Sequence, residues 1–61
     1  MSDKQKLIKN LDKLLKLESK LMKDMSKLRP DSDAYFKKKV ELDNVQYGID
    51  EIEKQLAAYK N

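Results

Sequence analysis

The sequence predicts an all-α fold: an antiparallel helical hairpin of two long helices that dimerises into a four-helix bundle. Three observations carry this expectation. Apolar residues recur at spacings of three and four along almost the whole chain, which is the period of an α-helix. That pattern breaks once, at Leu28-Arg29-Pro30-Asp31-Ser32-Asp33-Ala34, the stretch that holds the single proline. Finally, 41% of the 61 residues are charged and there is one glycine, a composition suited to long helices and coiled coils. The chain reads as a single domain over residues 1–61, with a helix over 3–29, a turn at 30–33 and a second helix over 34–60. The alternative is one long helix kinked at Pro30, because proline can bend a helix as well as end it.

The first helix opens on Ser2-Asp3-Lys4-Gln5, the S-x-x-Q form of a capping box just ahead of an apolar periodic run. At 100° per residue, Leu7, Leu11, Leu14, Leu21, Met25 and Leu28 share one seam, and Ile8, Leu15 and Met22 form a second row beside it. A stripe that wide touches more than one neighbour, which is the main argument for a bundle. Glu18 interrupts the seam between Leu14 and Leu21. It is either a polar layer that fixes register or a solvated residue at the edge. If buried, its carboxylate needs a partner. Lys38, the polar misfit of the second seam, is the candidate within the hairpin or across a dimer.

The opposite face of the first helix carries Lys9, Lys13, Lys16, Lys20, Lys23 and Lys27 at spacings of four and three. They form a basic stripe about 27 Å long at 1.5 Å per residue. Residues 1–29 hold nine Lys/Arg and four Asp/Glu, whereas residues 30–61 hold five and seven, so the net charge is concentrated in the first half. Such a row can track a phosphate backbone. It can equally be a solvated face that keeps a bundle soluble. The stripe has neither arginine nor an interleaved aromatic to stack on bases. An acidic protein or an anionic membrane surface are further partners for it, but the apolar face is needed for the neighbouring helix, so membrane insertion is not expected.

The turn follows from its residues. Proline disfavours helical geometry at Arg29, so the first helix should stop near Leu28 or Arg29. Asp31, Ser32 and Asp33 can each cap the next helix, and their charge suits its positive end. A short link lays two helices antiparallel.

The second helix has its seam at Tyr35, Lys38, Leu42, Val45, Ile49, Ile52, Leu56 and Tyr59. Matching the seams pairs Leu28 with Tyr35, Leu21 with Leu42, Leu14 with Ile49, and Leu7 with Leu56. Gly48 is either a point of close helix approach or an unused weakness worth about 1 kcal/mol. Phe36, Val40 and Tyr47 fall on the side away from the seam, rimmed by Asp43, Asn44, Asp50 and Glu51. They are either scattered surface apolars or a dimer or partner-binding patch anchored by two aromatics.

Composition excludes several chemistries. Without cysteine or histidine there is no disulfide, no Cys/His zinc site and no Cys- or His-based catalysis. There is no glycine-rich phosphate loop, and Asp31-Ser32-Asp33 lacks the glycine and distal glutamate of a calcium loop. No cofactor, metal or enzymatic activity is expected. No apolar run approaches membrane-spanning length, and Met1-Ser2-Asp3-Lys4 does not open a signal peptide, so the expected location is cytoplasmic.

The layout is similar to that of small plasmid and phage hairpin proteins that dimerise into four-helix bundles. The similarity is one of length and architecture, with no motif shared residue by residue, so it transfers no site. The function expected from the sequence is that of a non-enzymatic interaction protein: a regulator, inhibitor or assembly factor that forms a homodimer and binds a protein partner. The alternatives are a nucleic-acid-binding dimer that uses the lysine stripe and a structural subunit of a larger assembly.

Overall fold

The computed structural model describes residues 2–59. Two helices, α1 (Asp3–Ser26) and α2 (Asp33–Ala57), pack against each other as a hairpin. α1 starts where the sequence sets it. Ser2 is extended, with φ −73° and ψ 159°, and its Oγ accepts from the Gln5 N–H at 3.2 Å. Asp3 adds a negative charge at the positive helix end.

α1 ends at Ser26, two to three residues before the expected stop near Leu28 or Arg29. The Lys27 and Leu28 N–H groups donate to the Asp24 and Met25 carbonyls at 3.2 and 3.0 Å, a tighter turn than the α-helix makes. The Ser26 Oγ donates to the Lys23 carbonyl at 2.7 Å. The physical reason lies in the reversal. Packed helix axes stand about 8–10 Å apart, and a break confined to 30–33 leaves little chain to cross that gap once Ser32 is used as a cap. The last turn of α1 therefore supplies the extra residues.

Within the link, the Ser32 N–H and Oγ both donate to the Arg29 carbonyl, at 3.0 and 2.7 Å. This closes a turn with proline at its second position, where the fixed φ is favourable. Of the three capping candidates, Ser32 takes the role: its Oγ accepts from the Tyr35 N–H at 3.1 Å. Asp33 occupies the first turn of α2, and Asp31 lies 3.7 Å from Arg29. α2 closes at Ala57, with the Ala58 and Tyr59 N–H groups bonded to the Gln55 and Leu56 carbonyls. The remainder of the expected second helix, at Lys60, lies outside the described residues.

The helices run antiparallel in the register that the seams predict. Leu14 meets Gly48, Glu18 meets Gln46 and Asp24 meets Lys38, so α2 descends as α1 rises. The core is Leu21 and Met25 against Leu42, Val45 and Ile49, with Leu11, Leu14 and Tyr35 packed on it. It runs from the turn to just past the middle of the hairpin. Toward the open end, Leu7, Ile52 and Leu56 are only half-buried, and Tyr59 is 44% exposed. The molecule measures 45 × 16 × 14 Å, a rod in which one layer of side chains separates two helices. No helix among the described residues is long and apolar enough to cross a membrane.

Candidate functional site

Each helix face has a distinct chemistry, set by the 100° step between residues. The outer face of α2 presents Phe36, Val40 and Tyr47, which are 67%, 44% and 69% exposed. These residues project away from α1 because the α2 residues on the opposite side, Leu42, Val45 and Ile49, are those buried against it. Phe36 stands in the first turn of α2, so the Ser32 cap fixes where its ring begins. Five of the charged residues around the patch are paired along the helix, whereas Asp33 and Lys37, beside Phe36, are in no ion pair among the described residues. Lys39 donates to Asp43 at 3.1 Å, and Lys54 lies 3.5 Å from Asp50 and 3.7 Å from Glu51. The pairing neutralises much of the rim and leaves the apolar centre as its main feature.

The outer face of α1 presents the six lysines, Lys9, Lys13, Lys16, Lys20, Lys23 and Lys27, all exposed. Lys16 pairs with Asp12 at 3.0 Å, one helical turn away. Among the described residues the other five make no ion pair. The result is a continuous row of solvated amines on one side of the rod, while the aromatic patch lies on the other helix. The two sets are therefore separate surfaces.

Glu18 and Lys38 do not meet within the hairpin. Both are half-buried, but Glu18 accepts from the Gln46 amide at 3.3 Å, and Lys38 lies 3.9 Å from Asp24. The register explains this. Lys38 faces the Met25 level of α1, seven residues from Glu18, or about 10 Å along the axis. The two polar contacts also lie on opposite flanks of the hairpin, because Glu18 and Asp24 are about 120° apart on α1. The Gln46 contact was within reach of the sequence, since the same seam pairing that sets Leu21 on Leu42 puts Glu18 beside Val45.

The flank that carries Glu18 and Gln46 holds a third feature. Ile8, Leu15 and Met22 stand exposed along it. At its turn end lies an open groove of about 260 Å³ lined by Met22, Met25, Ser26, Tyr35 and Leu42. The row was visible as the second apolar stripe of α1. The groove was not, because it depends on how Tyr35 and Met25 pack across the two helices. Among the described residues no group of three or more His, Cys, Asp or Glu side chains is placed to hold a metal ion.

Compared with protein-family models, curated proteins and solved structures, the chain matches none.

Proposed function

We propose that this chain is a small helical interaction protein without enzymatic activity, working as a regulator, inhibitor or assembly factor by binding another protein. Phe36, Val40 and Tyr47 are its contact residues. The observation that carries the reading is the exposure of two of the four aromatics on the helix face turned away from the core. Exposed aromatics are among the residue types that anchor interfaces, and they lie here on one face of a helix. The i,i+4 ion pairs Lys39–Asp43 and Lys54–Asp50 lower the number of unpaired charges to desolvate when a partner docks.

The test compares proteins retained from cells that express the chain. The baits are the intact chain, a Phe36→Ala/Tyr47→Ala variant and a Lys13→Glu/Lys16→Glu/Lys20→Glu variant. A partner kept by the intact and charge-reversed chains but lost with the two aromatics supports the patch. Retention by all three removes Phe36 and Tyr47 from the site.

A second reading is a nucleic-acid-binding dimer. Its support is the row of five lysines without ion pairs among the described residues. It requires binding that weakens steeply with salt and disappears on charge reversal. A structural subunit of a larger assembly would instead associate without a closed end point as concentration rises.

A further inference from the structure

We propose that the Ile8–Leu15–Met22 flank of α1 is the seam on which a second copy of the chain docks, antiparallel, about a two-fold axis at Leu15. This gives the expected homodimer a face and an orientation. It stands whether or not the Phe36 patch captures a partner.

Three observations converge on this arrangement. First, the three residues are 48%, 43% and 47% exposed in the hairpin, although they form an unbroken row next to the core. Second, the row is its own complement when reversed. Its members are seven residues apart, so a two-fold axis at Leu15 sets Leu15 on its counterpart and Ile8 against Met22 of the other copy. An isologous contact requires this self-complementarity. The groove at the Met22 end, between Met25, Ser26, Tyr35 and Leu42, is then where the other copy's Ile8 arrives, and the exchange happens twice.

Third, the axis falls at the middle of α1, whose bounds are Asp3 and Ser26, so the two rods overlap along their whole length. A face of 45 × 16 Å limits the contact to at most about 700 Å² per copy, just under the roughly 800 Å² per partner of a standard stable interface. A shifted axis would sacrifice part of that area.

The same axis stacks α2 on its counterpart, with Gln46 of one copy level with Asp50 of the other. Asp43 of one copy then stands level with Glu53 of the other, a like-charge approach at each end that the apolar α1 seam has to outweigh. The lysine stripe of α1 and the Phe36 patch of α2 both lie outside the contact. One polar pair, Glu18 with Gln46, is carried into it with its hydrogen bond made.

The test uses the absence of native cysteine. Full-length Leu15→Cys, Ile8→Cys, Met22→Cys and, as a control, Phe36→Cys chains are oxidised mildly and run without reductant. Leu15→Cys should give covalent dimer at least tenfold faster than Phe36→Cys. A mixture of Ile8→Cys and Met22→Cys should link to each other in preference to themselves. Sedimentation equilibrium should give twice the 7.2 kDa chain mass for the unmodified protein and for Phe36→Ala/Tyr47→Ala, and the single-chain mass for Leu15→Glu. Circular dichroism of Leu15→Glu should still show helix.

Three results would overturn the proposal: Ile8→Cys linking to itself, Phe36→Cys linking as fast as Leu15→Cys, or a doubled mass that survives Leu15→Glu. A doubled mass abolished by the Phe36/Tyr47 change alone would move the self-contact to α2.

Discussion

Gly48 offers a quantitative test of how closely the helices approach. It lies inside α2, where alanine is about 1 kcal/mol more favourable than glycine through helix propensity alone. Against this stands one contact. A Cβ at position 48 would lie 3.2 Å from Leu14 Cδ1, a few tenths of an ångström inside an ordinary van der Waals distance. Leu14 is half-buried, and the crowded atom is the tip of its side chain, which can swing aside. The propensity term should win. Gly48→Ala is expected to stabilise the protein by somewhat under about 1 kcal/mol, and at this chain length each kcal/mol shifts Tm by roughly 4–8 °C. Pairing it with Leu14→Ala should release the full gain, so a double-mutant cycle isolates the contact. Gly48→Leu should reverse the sign, since overpacking a seam costs about 1–3 kcal/mol. Thermal and urea melts followed by circular dichroism measure all of these. A loss of stability with Gly48→Ala would refute the reasoning, because it would mean that Leu14 is held rigidly and the helices depend on a bare backbone at this level.

Three further outcomes follow from the same structure. Leu21→Ala removes the most deeply buried side chain, and such truncations cost about 2–5 kcal/mol; against a total of roughly 3–9 kcal/mol for a chain of this size, much of the helical signal at 25 °C should be lost. Ser32→Ala removes both the cap on Tyr35 and the bond to the Arg29 carbonyl, and should lower stability by about 1 kcal/mol in the same melts. Glu18→Leu places an apolar residue where the seam calls for one, at the loss of a single 3.3 Å hydrogen bond; a gain of about 1 kcal/mol is expected, and a loss would show that the Gln46 contact fixes the helices in place.

Much of the fold was legible because the chain writes it in local signals. Ser2 and Ser32 cap their helices as side-chain chemistry dictates, and the three-and-four spacing named every buried residue of the core. What was not legible depends on distances between helices. Proline constrains only Arg29, so it could not reveal that crossing to α2 would unwind Lys27 and Leu28 as well. Lys38 looked like the partner of Glu18 because both interrupt a seam, yet register and flank assign them to Asp24 and Gln46. The Phe36, Val40 and Tyr47 patch could be read from angular position alone, since an outer face needs no knowledge of packing. The Met22 groove could not, as it exists only where two helices leave space between them.

The central claim is that the hairpin works through apolar contacts with protein and that its lysine stripe is a solvated face. Molar mass by light scattering tests this most directly, measured over a concentration series at low and high salt, with and without added RNA. The account predicts a closed dimer, twice 7.2 kDa, unchanged by salt and by RNA. A mass that rises with RNA at low salt and returns to the protein value at high salt would contradict it and make the lysine stripe the functional surface.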